Sequence, residues 1–196
     1  MDTQLVRLEH LLGELGSGEQ RFVERYPGAF MVAAGLLVAE ESKPKPDDGP
    51  LVIEATKPPR ESTNGRLDFT SVFRFGQKVR HATGEPHALA GCAFFLRPTG
   101  EKTHVEVGRS AACDITVPDS SVSDRHCRIE VTGQGVVVRD LASTNGTSIN
   151  QQRIEPDTPR VLADEDILSV GRYSFQILSA ATLFAGLIEV RPLLKR

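Results

Sequence analysis

The sequence predicts an all-β antiparallel sandwich of about ten to eleven strands with a small, mainly helical N-terminal extension, on three observations. From about Ala88 onward, short apolar segments recur at close intervals and are separated by Gly, Asn, Asp and Ser. No long helical periodicity lies among them, so the crossovers that a parallel sheet requires are missing. Upstream, leucines spaced three or four residues apart give the extension its helical pattern.

Taken in order, Leu5, Leu8, Leu12 and Leu15 lie on one stripe of an amphipathic helix that Gly16 and Gly18 end. Phe22, Val23 and Tyr26 lead to Pro27, and the apolar run Phe30 to Val38 reads as a second helix or a buried strand packed on that stripe. Glu40 to Pro50, EESKPKPDDGP, holds three prolines and a glycine that stop both helix and sheet. The reading is therefore a helical segment over 1–40 and a linker over 41–87, with short extended pieces at Leu51 to Ala55 and around Phe69, Phe73 and Phe75. The sandwich occupies 88–180, and 181–196 forms a C-terminal helix or strand. Candidate strands are Gly91 to Arg97, Thr103 to Val107, Asp114 to Val117, His126 to Val131, Gly135 to Asp140, Thr147 to Asn150, Asp166 to Val170 and Tyr173 to Leu178.

Bulk properties narrow the function classes. The chain has 196 residues, enough for one domain with a real core plus an appendage. A hydrophobic share of 39% with 25% charged residues suits a folded globular protein. The net charge of -3 offers no global attraction to nucleic acid or an anionic membrane surface, so any anion site is local. Cys92, Cys113 and Cys127 lack a CxxC spacing and read as reduced core thiols of a cytoplasmic protein. No basic stretch followed by an apolar run comes after Met1-Asp2-Thr3, which predicts no secretory signal. The longest apolar run, Ala29 to Ala39, spans 11 residues. Crossing a bilayer takes about 20, so no membrane insertion is expected.

Three short pieces fall in loops between strand candidates: Gly108-Arg109-Ser110, Ser123-Asp124-Arg125-His126 and Ser143-Thr144-Asn145-Gly146-Thr147. Brought to one end of the sandwich, Arg109, Ser123, Thr144 and Asn145 make a compact pocket for a phosphate. A phosphorylated side chain carries about -1.5 to -2 charge at pH 7 and three strong acceptor oxygens. Arg109 offers it a planar two-pronged donor, Ser123 and Thr144 offer hydroxyls, and Asn145 has the donor and acceptor needed to hold an extended peptide in register.

The order GR, SxxH, STNGT and then Asn150 resembles the forkhead-associated (FHA) domain family over roughly Ala88 to Ser179. That resemblance implies a phosphothreonine-binding, non-catalytic module without cofactor. Arg109, Ser123 and Thr144 would contact the phosphate, and Asn145 would bond the peptide backbone. Gly108, His126, Gly146, Thr147 and Asn150 would shape the loops. The resemblance also implies a preference for phosphothreonine over phosphoserine, and a single extra methyl is worth only about 0.8 kcal/mol, so loop geometry must add the rest. Asp124 departs from the family, which often has a basic residue or asparagine there; its carboxylate would repel phosphate unless turned aside.

The expectation is a signalling adaptor that recruits a threonine-phosphorylated partner, with a Ser/Thr protein kinase upstream and no nucleic-acid partner. The alternative is a scaffolding protein that binds partners independently of phosphorylation. Docking of a phosphorylated Thr56 or Thr63 into the chain's own or a neighbour's pocket is a further reading. A Ser123, His126, Asp140 hydrolase is disfavoured by spacing and by the lack of a GxSxG turn. Cys113, Cys127, His104 and His126 lack zinc-ligand spacing, so no metal is expected. Two heptads of leucine fall short of a coiled coil, which leaves self-association through the N-terminal segment as a secondary reading.

Overall fold

The computed structural model describes residues 5–36, 89, 91–98, 100–133 and 135–191. The linker, the extended pieces around Leu51 and Phe69, Phe73 and Phe75, and Thr56 and Thr63 lie outside the described residues. In chain order the elements are β1 (Leu5–Arg7), α1 (Leu8–Glu14), a 3-10 turn (Leu15–Ser17), α2 (Glu19–Arg25), β2 (Ala29–Leu36), β3 (Cys92–Phe95) and β4 (Val105–Gly108). There follow β5 (Ile115–Thr116), β6 (Cys127–Thr132), β7 (Gly135–Asp140), β8 (Thr147–Ile149), β9 (Gln152–Arg153), β10 (Arg160–Leu162), β11 (Ile167–Val170), β12 (Tyr173–Ser179) and α3 (Ala180–Val190).

Two sheets face each other, one of seven strands in the order β1-β3-β2-β12-β11-β8-β9 and one of five in the order β10-β7-β6-β4-β5. Every pairing among the described strands is antiparallel except β4 with β5. Between the sheets lies a core in which Met31, Phe94, Phe175 and Ile177 meet Val107, Ile129 and Val138. The β-sandwich expectation thus holds, with ten of the twelve described strands downstream of Ala88.

The described part of the apolar run, up to Leu36, is strand β2, whose physical character explains why its pattern was ambiguous. Met31 and Ala33 point into the core between the sheets, while Phe30 and Val32 point outward into a second apolar cluster. A strand buried on both faces reads as continuous hydrophobicity, because neither face has to be polar. It lies between β3 and β12, so the N-terminal segment contributes a central strand of the larger sheet as well as two helices.

That second cluster is the outer layer of the fold. Leu8, Leu11, Leu15 and Phe22 from the N-terminal helices pack with Leu183 and Leu187 of α3 over Phe30, Ala93 and Leu178 of the sheet. Ring pairs bind the layer together, with Phe22 5.4 Å from Phe184 and Phe30 5.1 Å from Phe95 between centroids. The leucine stripe differs from its sequence pattern at two positions. Leu5 sits in β1, paired with β3, and is exposed; Leu11 is fully buried, and Leu12 only in part. Because the helix begins at Leu8, the stripe that packs is Leu8, Leu11 and Leu15, and it is used within the chain.

The C-terminal alternatives resolve as helix α3. Ser179 caps it by accepting the amide of Thr182 at 3.1 Å, and the Asp164 carboxylate accepts the Ser179 amide at 2.7 Å. Leu183, Phe184 and Leu187 then share one buried face at helical spacing. No helix among the described residues is long and apolar enough to cross a membrane. Cys92, Cys113 and Cys127 are buried.

Phe30→Ala removes a fully buried ring from the helix–sheet layer and is expected to destabilise the fold by about 3–5 kcal/mol in urea denaturation. Val161→Ala, at a side chain 69% exposed on edge strand β10, should stay within about 0.5 kcal/mol of wild type.

Candidate phosphate-binding site

Strand β4 ends at Gly108, where the chain crosses the loop that precedes β6. A side-chain Cβ on Gly108 would run into the carbonyl oxygen of Asp124, so only glycine lets the two backbones cross this closely. Hydrogen bonds lock the crossing. The Arg109 amide donates to the Ser123 carbonyl at 2.9 Å, and the Ser110 amide donates to the Asp124 carbonyl at 3.2 Å. The Cys113 thiol reaches that same Asp124 carbonyl at 3.1 Å. Arg109 therefore leaves the backbone at a fixed place beside Ser123 and Asp124.

His126 ties this second loop to the third. Its ring is fully buried, its Nδ1 accepts the Ser123 amide at 3.1 Å, and its Nε2 stands 3.2 Å from the carbonyl of Gly146. An amide cannot accept and a carbonyl cannot donate, so the hydrogen must sit on Nε2 and the ring is neutral. Burial lowers the pKa of His126, the Gly146 carbonyl and the Asp140 charge opposing it less strongly.

The third loop folds around a buried carboxylate. Asp140, at the end of β7, accepts the Ser143 amide at 3.0 Å on Oδ1. Its Oδ2 accepts the Ser143 and Thr147 hydroxyls, each at 2.6 Å. At Gly146 φ is 78°, and the Arg153 guanidinium lies 2.5 Å from where a Cβ would stand. Gly146 and Ala142, the latter at φ 56°, are thus the positive-φ residues of this loop.

These tethers bring the Ser123 and Thr144 hydroxyls together and fix the Arg109 backbone beside Ser123. Ser123 Oγ accepts the Thr144 amide at 3.0 Å and lies 3.4 Å from the Thr144 hydroxyl. The Arg109 guanidinium gives Nε and Nη2 to Oδ1 of Asp124 at 3.1 and 2.7 Å. Asn145 donates its side-chain amide to the Ser121 carbonyl at 2.7 Å. Asn150 stands apart: with Gln151 it forms the positive-φ hairpin corner between β8 and β9, and its side chain bonds Asp166 and the Ile167 amide. It braces the start of β11.

A Ser-His-Asp relay is not formed. Ser123 meets His126 through its backbone amide while its hydroxyl is engaged with Thr144, and Asp140 serves Ser143 and Thr147. Among the described residues, Cys113, Cys127, His104 and His126 do not gather into a metal-holding set.

Sequence reasoning missed the supporting residues. Asp140 follows Val136 and Val138 on the inward face of β7, and that period-two placement of an acid was the signal that it is buried. Ser121 receives Asn145 on its carbonyl and the Arg172 amide on its hydroxyl at 3.0 Å, while Asp119 accepts Arg172 Nε at 2.9 Å. No local pattern announces contacts that span some fifty residues.

Two measurements check this scaffold. A neutral buried His126 binds its proton less tightly than the same residue in the unfolded chain, which titrates near about 6.5. Its contribution is complete above that pH and is lost as pH falls through the lowered native value, so the urea midpoint should drop as pH is taken from about 6.5 to 5. In His126→Gln the fold should be weaker at neutral pH and that drop should vanish. Asp140→Asn places a donor group against two hydroxyls and an amide, and should cost about 1–3 kcal/mol by the same assay.

Comparison with known proteins agrees with the geometry. A family model described as the FHA domain matches residues 105–171, the stretch holding all three loops. An FHA domain-containing protein of Arabidopsis thaliana is 35% identical over 71 residues, which is 36% of this chain and 18% of that protein. FhaA of Mycobacterium tuberculosis is 37% identical over 65 residues, 33% of this chain and 12% of its own length. The glycogen accumulation regulator GarA of Mycolicibacterium smegmatis is 34% identical over 91 residues, 46% of this chain and 52% of GarA. The matched stretch thus covers well under two thirds of each of these relatives. Among solved structures, the FhaA FHA domain complexed with an intracellular domain is 31% identical, covering 44% of this chain and 88% of that one, at a TM-score of 0.39. The loop-bearing part of this sandwich, residues 105–171, is thus matched by the forkhead-associated (FHA) domain family.

Proposed function

We propose that the chain is an adaptor that binds threonine-phosphorylated peptides and so recruits a partner marked by a Ser/Thr protein kinase, without catalysing a reaction itself. The observation that carries this reading is the convergence of the Arg109 loop with the paired hydroxyls of Ser123 and Thr144, held by His126 and Asp140 from beneath. A phosphate seated there would take charge-assisted bonds from the guanidinium and neutral ones from the hydroxyls. Asn145 would exchange its Ser121 bond for the backbone of an extended peptide.

The family match supports this reading, and so do the names of relatives. One is a glycogen accumulation regulator, and another, 30% identical over 92 residues, is the oxoglutarate dehydrogenase inhibitor of Corynebacterium jeikeium. One name is that of a regulator and the other that of an inhibitor. A cytoplasmic setting fits three buried cysteines that lack a CxxC spacing. The scaffolding alternative draws on one feature, the Arg109–Asp124 pair, which satisfies the arginine without any ligand.

Arg109→Ala is expected to weaken binding of a phosphothreonine peptide by about 30-fold or more, since bonds from a charged donor contribute roughly 1.5–3 kcal/mol each. The pair it breaks is exposed, so the urea midpoint should correspond to within about 0.5 kcal/mol of wild type. Fluorescence anisotropy with phosphorylated and unphosphorylated forms of one peptide measures the first effect; equal binding of both forms would favour scaffolding.

A further inference from the structure

In the ligand-free site the Arg109 Nε and Nη2 groups, the Ser123 hydroxyl and the Asn145 side-chain amide each have an internal acceptor, and the acceptor of Arg109 is itself charged. Arg109 directs both Nε and Nη2 at a single oxygen of Asp124, and these atoms form the edge with which an arginine grips an oxyanion two-pronged. Asp124 therefore stands where a phosphate oxygen would be received.

The residue cannot leave as a whole. Its carbonyl is held by the Ser110 amide and the Cys113 thiol and packs against Gly108, so the backbone stays at the rim of the site. Only the carboxylate can swing, and its side chain is 73% exposed against 45% for Arg109. Once displaced, it remains a negative charge beside a phosphate that carries nearly two more.

Two of the arginines around the site are already committed, while a third, Arg153, lies against Gly146 of the third loop. Arg125 is paired with Glu106 on β4, and Arg172 gives Nε and Nη2 to Asp119. The positive charge that would settle a displaced Asp124 is thus best supplied by the ligand.

We propose that Asp124 makes the site selective for phosphothreonine peptides that carry a lysine or arginine next to the phosphorylated residue, an inference that rests on the phosphothreonine-binding reading. The peptide cation takes over the carboxylate that the phosphate evicts. Acidic neighbours are disfavoured because they add like charge to the same rim.

The test uses the full chain, wild type and Asp124→Asn, with labelled phosphothreonine peptides identical except for Lys, Gln or Glu at each position flanking the phosphothreonine. In wild type, the Lys peptide at the responsive position should bind about three- to tenfold more tightly than the Glu peptide, a ratio that shrinks as salt rises. In Asp124→Asn the Gln peptide should bind more tightly than it does to wild type, and the Lys-to-Glu ratio should fall to within about twofold. Equal binding of the Lys and Glu peptides by wild type, or a ratio unchanged by the substitution, overturns the inference while leaving phosphothreonine recognition standing. Failure of every phosphopeptide to bind either protein overturns both.

Discussion

Two buried polar side chains, the His126 imidazole and the Asp140 carboxylate, have only loop backbone and hydroxyls to bond with, and that constraint shapes the whole binding end of the sandwich. Leaving such a group unpaired in the interior costs about 1–3 kcal/mol, more for a charge, which is a large share of a small domain's stability. The loops around them consequently have one good arrangement. His126 joins the second loop to the third, Asp140 closes the third on itself, and the backbone crossing at Gly108 adds the first. Arg109, Ser123 and Thr144 stay on the outside of this network because the inner positions are filled.

Beneath the loops, the sandwich supplies the rigid platform that such precision requires. Strand β2 is central to this, since it fills the place between β3 and β12 and is buried toward both the sheet–sheet core and the helical layer. The helices over the larger sheet satisfy the outer faces of β2, β3 and β12, which would otherwise present phenylalanines and leucines to water. The five-stranded sheet carries the first two loops at the ends of β4 and β6, and the third loop connects it to β8 of the other sheet. The three loops thus gather where the two sheets exchange chain.

Much of this was legible in the sequence because short strands between turn residues leave a strong pattern. Gly135 to Asp140 is a strand at the predicted limits, and the three loops fall between strands as their composition indicated. What escaped has physical causes. β9 and β10 are two and three residues long, with mostly exposed side chains, so no periodicity can mark them. Burial on two faces erased the alternation that would have identified β2. The Arg109–Asp124 pair and the Asn145–Ser121 bond depend on how loops meet through space, which spacing along the chain does not encode. Asp140 was visible as a residue but read through its rejected catalytic role, while its inward period-two position pointed to an organising one.

The central claim is that the three loops present one phosphate-gripping surface. Its most direct test is a nitrogen-15 NMR titration of the intact chain with a phosphothreonine peptide and with the same peptide unphosphorylated. The account predicts that the phosphorylated form alone shifts the Arg109 side-chain Nε–H and the amides of Ser110, Ser123, Thr144 and Asn145, with the helical layer unmoved. Shifts centred on α1, α2 and α3, or identical responses to both peptides, would contradict it.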